Sequence, residues 1–171
     1  MEPVSAELEM DVPRERVFEF LEDLANRPAF ADHLFCEFHL SRVESAGVGA
    51  SARFSLDVKP GTLWIDSQIT ELEYPHRITE RGRGGRVNRI GTTTVWEVHE
   101  GPGSLSTVRV VFFTDATHPV DRMKEALGQS RSVGRGLRTA LRRLRDLLES
   151  DDEDIARVAV AGGNRHRTGV P

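Results

Sequence analysis

Apolar and polar positions follow two different periods along this chain, and the change of period divides it. Val4, Ala6, Leu8 and Met10 alternate with Ser5, Glu7 and Glu9, which predicts a half-buried strand. Asp11 and Pro13 mark a helix start, because proline suits the first helical turn, and Val17, Phe20, Leu21 and Leu24 continue at helical spacing. Asn26-Arg27-Pro28 interrupts that helix, and the segment from about Pro28 to Leu34 is either a second short helix or an ordered loop. From Glu37 the period becomes two. Phe38, Leu40 and Val43 suggest one strand, and Gly47-Val48-Gly49 a turn. A second strand has Phe54, Leu56 and Val58 inward and Arg53, Ser55 and Asp57 outward. After a turn at Lys59-Pro60-Gly61, Leu63, Ile65, Ser67 and Ile69 share a face until Tyr74-Pro75 ends the strand. Arg77 to Arg81 begins another strand, the glycine-rich tip RGRGG leads into Val87 to His99, and Gly101-Pro102-Gly103 turns into Leu105 to Thr117. Six or seven strands in a meander without helical crossovers predict an antiparallel sheet.

The last long segment, Pro119 to Ser150, returns to the helical period. Met123, Leu127, Leu137, Leu141, Leu144 and Leu148 fall along one side of a single helix. A stripe of that length is stabilised mainly by packing, so it needs a broad apolar partner, and the sheet is the one on offer. The predicted class is therefore α+β: a curved antiparallel sheet wrapped around a long C-terminal helix, with two short helices after the first strand and a cavity wherever side chains leave a gap. Residues 1–149 form one domain in this reading. Residues 150–171, with the acidic run DDED, paired glycines and no aromatic residue, offer little to bury and are expected to be a mobile tail.

Composition narrows the function classes. At 171 residues, 38% hydrophobic and 29% charged, the chain can bury a single core. No run of about 18 apolar residues exists to span a membrane, and the first ten residues lack the basic leader and apolar stretch of an export signal, so a cytoplasmic location is expected. Cys36 stands alone, which fits a reducing compartment and excludes an internal disulfide; between Phe35 and Phe38 it reads as a small hydrophobe. A net charge of -4 gives no general attraction to nucleic acid. Six histidines, at 33, 39, 76, 99, 118 and 166, include no pair at metal-ligand spacing, so no metal is expected. Gly82, Gly84 and Gly85 imitate a dinucleotide-binding loop only superficially, since the segment joins two strands, and no GxSxG elbow occurs. No cofactor is implied.

Several stretches resemble a known family. The opening strand is followed by DVPRERVFEFLEDLANRPAF; then come Gly47 and Gly49 ahead of the strand holding Phe54, ITELEYPHRI with its Tyr-Pro break, TTVWEV, and GLRTALRRLRDLLE. Over about Val4 to Glu149 this order is similar to the helix-grip fold of the START-like (SRPBCC) superfamily, and within it to the bacterial polyketide cyclase/dehydrase and lipid-transport proteins. These motifs belong to the fold rather than to any reaction. The resemblance implies a deep pocket between sheet and C-terminal helix for an apolar or aromatic small molecule; some relatives cyclise and dehydrate poly-β-ketone chains, others only bind.

Placed on that fold, the face assignments make a pocket wall of Phe54, Leu56, Leu63, Ile65, Ser67, Thr92, Thr94, Trp96, Val110 and Phe112, opposed by Leu127, Ser130 and Gly134. Apolar walls with a few hydroxyls are the common make-up of a small-molecule site. Trp96 is the surface against which a flat ligand would stack. Gly128, Gly134 and Gly136 either thin the helix over the ligand or let it pack closely on the sheet, while Arg131, Arg135, Arg138, Arg142 and Arg145 form a basic stripe that reads as a solvated face. His33 falls in the helix-pair region that flanks the pocket mouth in the resembling proteins, where an imidazole can exchange a proton with a carbonyl. The leading expectation is a binding or carrier protein for a hydrophobic molecule. The rival is a polyketide aromatase/cyclase using His33, Ser67 and Arg53. The third is an interaction module or homodimer using Val111 and Phe113, which face away from the core. No inward charged residue is read on the central strands, which favours binding over catalysis.

Overall fold

A computed structural model describes residues 2–57, 61–116 and 129–150. Among them seven strands form one sheet: β1 (Val4–Met10), β2 (Phe35–Leu40), β3 (Ser51–Asp57), β4 (Thr62–Glu73), β5 (Arg77–Gly84), β6 (Ile90–Glu100) and β7 (Ser106–Ala116). The spatial order is β1-β7-β6-β5-β4-β3-β2, every neighbouring pair antiparallel. The meander is thus continuous from β2 to β7, and β1 closes it by pairing with β7. Helices α1 (Arg14–Glu22) and α2 (Arg27–Ala31) follow β1, joined by a 3₁₀ turn at Leu24–Asn26, and α3 (Gln129–Glu149) ends the described fold. This is the α+β arrangement that the alternating and helical periods predict, and the helix grip that the resemblance implies.

Cross-strand register fixes the two faces. The inward rows read Phe54–Ile65, Ala52–Ser67–Gly82–Thr92–Thr114, Ile69–Glu80–Thr94–Phe112 and Ile78–Trp96–Val110–Ala6. Gly82 and Gly84 lie on β5 where the backbone of β4 comes very close. A Cβ on Gly82 would lie 2.5 Å from the Asp66 carbonyl oxygen, and one on Gly84 2.5 Å from that of Trp64. Only glycine permits that approach, and at Gly82 the Thr92 hydroxyl also closes in, 2.8 Å from where a Cβ would lie. On β2 a bulge between Cys36 and His39, with Glu37 at φ 50, resets the alternation. Phe35 and Phe38 both reach Phe54 as a result, at ring separations of 4.7 and 5.8 Å.

The helices cover the other side of the sheet's inner face. In α1 the buried side chains are Val17, Phe18 and Leu21, with Phe20 only half-buried. Along α3 Val133, Leu137, Ala140, Leu141, Leu144 and Leu148 form the buried stripe, and the helix rests mainly on β1 and α2. Two glycines set its approach: a Cβ on Gly134 would meet Val4, and one on Gly136 would come within 2.7 Å of Leu34. The far end is tied by the Asp11 amide donating to Glu149 Oε1 at 2.9 Å.

Some predicted boundaries move. Val43 is 80% exposed and lies beyond the end of β2. Val87, 74% exposed at φ 66, belongs to a 3₁₀ turn (Arg86–Asn88), and β6 begins only at Ile90. Val58, the turn residues Lys59 and Pro60, the proposed helical residues 119–128 and the tail at 151–171 lie outside the described residues.

Candidate functional site

The inner face of the grip is the candidate site. Phe54, Leu56, Leu63, Ile65, Ser67, Thr92, Thr94, Trp96, Val110 and Phe112 all fall on that face, as their register requires, and all but the half-buried Leu63 are buried. Three hydroxyls interrupt the apolar surface. Ser67 and Thr92 flank Gly82, and Thr94 follows on the next inward row. The three residues are buried, but their hydroxyl oxygens are not among the sealed, unpartnered polar atoms, and Ser67 and Thr92 each line a hollow that also includes Gly82.

Beside them lies a charged pair that the sequence reading does not contain. Glu80, inward on β5 and 6% exposed, is opposite Thr94 and Ile69. Arg27, at the start of α2 and 2% exposed, reaches down to it with Nη2 2.6 Å from Glu80 Oε1. Trp96 Nε1 donates to the same Oε1 at 3.0 Å. The Arg27 guanidinium also lies 4.5 Å from the centroid of the Trp96 ring and makes a long bond of 3.4 Å to the Leu21 carbonyl. Two donors therefore converge on one carboxylate oxygen. Oε2 accepts from no described residue, and Arg27 Nη1 is buried without a partner.

This cluster corrects two expectations. An inward charge does exist on a central strand; it escapes sequence reading because Glu80 alternates correctly with Ile78 but looks like an outward residue by type. Trp96 is fully buried, with its face beneath the Arg27 guanidinium and its edge against Phe30 at 6.1 Å, so the surface assigned to a stacking ligand holds a guanidinium instead. No local signal announces the pair, since Asn26-Arg27-Pro28 marks only the break between two helices.

Other candidates are dispersed. Arg53 points to the outer face, 58% exposed, 3.8 Å from Asp66 and over the Trp64 ring, because it alternates with the inward Ala52 and Phe54. It cannot reach the interior. His33 is 24% exposed, and its Nε2–H donates to the Gly136 carbonyl at 3.0 Å, fastening the end of α2 to α3. Ser130 and Gly134 line a surface hollow of about 540 Å³ with Ser5, Arg131, Arg135 and Arg138, since α3 leans on β1 rather than over β3; Leu127 lies outside the described residues. Val111 and Phe113 are half-buried by their neighbours on the outer face rather than exposed. Among the described residues no group of three His, Cys, Asp or Glu is placed to hold a metal ion, and no helix is long and apolar enough to cross a membrane.

With this geometry in place, comparison with known proteins bears on the fold. A family model described as polyketide cyclase / dehydrase and lipid transport matches residues 1–149. A search of curated proteins finds no match. Solved structures similar to this chain include a START superfamily protein from Mycobacterium smegmatis, at TM-score 0.59 and 10% identity, covering 86% of this chain and 97% of that one. Another, from Thermus thermophilus, has TM-score 0.63 and 14% identity, with 88% and 99% covered. A protein of the dynemicin biosynthetic locus aligns at TM-score 0.60 and 18% identity over 94% of this chain but 51% of its own length.

Proposed function

The chain belongs to the polyketide cyclase/dehydrase and lipid-transport family, and from that premise we propose that it binds a hydrophobic small molecule, aromatic, polyketide-like or lipid, against the inner face of the sheet. The observation that carries the reading is the composition of the inward face, where the hydroxyl-bearing Ser67, Thr92 and Thr94 are set in an apolar surface of Phe54, Ile65 and Phe112. Hydrocarbon contact supplies affinity in such a site and the hydroxyls orient the guest. Binding occurs in the cytoplasm, where the half-buried Cys36 stays reduced. The test is native mass spectrometry of the protein as purified, followed by thermal melts with fused-ring aromatics and with long-chain alcohols. A retained small molecule, or a rise in melting temperature with either class, is the expected result; absence of both overturns the reading.

A second reading, cyclisation with loss of water, is favoured by one observation: the buried Glu80–Arg27 pair next to Thr94 gives the interior a carboxylate and a cation. Proton transfer needs a titrating or hydrogen-bonding group at the reacting carbon, and Glu80 is better placed than Arg53 or His33. Turnover of a poly-ketone mimic that is lost in Ser67→Ala and Glu80→Gln, with affinity for the mimic retained, would establish it. No turnover by the unaltered protein leaves the carrier reading alone.

A further inference from the structure

We propose that the hollow between α3 and the start of β1 binds a phosphoryl group, carried by a phosphate ester in solution or by a lipid head group. The proposal is independent of the inner face of the sheet and of the reading above. The hollow, of about 540 Å³, is lined by Arg131, Arg135 and Arg138 together with Ser5 and Ser130. The arginines stand four and three residues apart, so they share one face of the helix, with successive Cβ atoms about 5–6 Å from each other. All three are exposed, none forms an ion pair among the described residues, and no carboxylate lines the hollow. Farther along the same helix the pattern changes: Arg143 pairs with Asp32 at 2.6 Å, and Arg145 with Asp146 at 3.1 Å. Like charges at this spacing repel, so the uncompensated trio weakens the helix on its own. In a chain whose net charge is -4 it is also a local excess of positive charge, which an anion seated among the three would offset.

Gly134 also lines the hollow, inside a helix where glycine is the least favoured residue after proline. A Cβ there would sit 3.1 Å from Val4 Cγ1 and 3.7 Å from Arg138 Nη1. The Arg138 guanidinium therefore folds back over the glycine, in the direction that long helical side chains lean, and comes toward Arg131 and Arg135 rather than away from them. Every polar side chain on the lining can donate: the guanidinium N–H groups stay protonated at any working pH, and the two hydroxyls can turn to donate. A carboxylate offers two oxygens and one charge, enough for a single arginine fork. A phosphate ester offers three terminal oxygens and nearly two charges, enough for more than one arginine and a hydroxyl besides. The donor set thus favours phosphoryl over carboxylate.

Two measurements on the full-length protein test this at about 0.15 M salt, where exposed charges more than about 8 Å apart are largely screened. Calorimetry compares glycerol 3-phosphate with glycerate, which carries a carboxylate in place of the phosphate. Cosedimentation uses phosphatidylcholine vesicles with and without phosphatidic acid. The soluble ester is expected to bind about tenfold or more tighter than glycerate, the value of one added hydrogen bond to a charged group. Pelleting that requires phosphatidic acid assigns the phosphoryl group to a lipid; binding of the soluble ester without pelleting assigns it to a small molecule. In either case Arg135→Gln, at the centre of the trio, should weaken binding about tenfold or more, while Arg142→Gln, one turn beyond Arg138 and outside the lining, should leave it unchanged. Glycerate binding as tightly as the ester overturns the proposal, as do equal losses in Arg135→Gln and Arg142→Gln, which would mean general attraction to a basic helix. Binding of neither the ester nor the phosphatidic acid vesicles overturns it outright. Should Arg135→Gln fail to fold, the probe and vesicle comparisons on the unaltered protein still decide, and none of these outcomes bears on binding at the inner face.

Discussion

Replacing Glu80 with alanine should come close to unfolding this protein. Removing the carboxylate strands a guanidinium that is 2% exposed and whose one other hydrogen bond is the 3.4 Å contact to the Leu21 carbonyl. Breaking a buried ion pair from one side costs about 3–5 kcal/mol, because the surviving charge stays desolvated. The Trp96 N–H loses its acceptor as well, adding about 1–3 kcal/mol, the usual size for a buried donor left alone. The expected total of about 4–8 kcal/mol is comparable to the whole stability of many domains of this size, typically about 5–15 kcal/mol. The double variant Arg27→Met/Glu80→Met removes both charges and leaves only the indole unpaired, so its cost should fall to about 1–3 kcal/mol. Urea unfolding followed by circular dichroism, run on the parent, both single variants and the double, gives the coupling directly. Single-variant costs under about 1 kcal/mol that simply add in the double would mean that water reaches the pair, and the reasoning about a desolvated interior would fall with it.

Leu141, 1% exposed in the middle of the α3 stripe, should cost about 2–5 kcal/mol when cut to alanine, read by the same denaturation; a value near zero would remove α3 from the core. Gly82→Ala should lower the melting temperature, since the new methyl meets the Asp66 carbonyl oxygen at 2.5 Å and overpacking typically costs about 1–3 kcal/mol. His33→Ala should cost about 1 kcal/mol through the bond to the Gly136 carbonyl and leave ligand affinity unchanged; loss of affinity would return His33 to the site. Phe113→Lys should leave the mass by light scattering unaltered, and a drop from dimer to monomer would restore the interface reading. Removing residues 151–171, past the end of the family match at 149, should shift stability by less than about 1 kcal/mol.

Period and turn chemistry carried most of the fold. Alternation in β4 as far as Ile69, and along β6 and β7, fixed which side chains face inward, because a slip of one residue would have exposed Ile65, Trp96 and Val110 together. The stripe from Leu137 to Leu148 named its own buried face. What could not be read depends on contacts between distant segments. Arg27 and Glu80 are 53 positions apart, and neither type announces burial. The lean of α3 toward β1 follows from Gly134 against Val4 and Gly136 against Leu34, pairings that no local pattern encodes. The bulge at Glu37 breaks the alternation it interrupts, which is why the pattern draws Val43 into a strand that ends at Leu40.

The place of β1 has a consequence for how the chain acquires this structure. Its partner is β7, with Val4 opposite Phe112 and Met10 opposite Ser106, so the first strand of the sheet waits for the seventh. Hairpins from β2 to β7 can form between neighbours as synthesis proceeds, but the earliest segment has no strand to join until over a hundred residues have emerged. Closing so long a loop slows folding, and until it closes β7 presents an unpaired edge rich in valine and phenylalanine. The alternating glutamates of β1, Glu7 and Glu9, would discourage that waiting strand from pairing with its own copy on another chain, since like charges facing each other across two strands repel. The first seven-residue strand is therefore the last piece of the sheet to be committed, and the step most exposed to misassembly between chains.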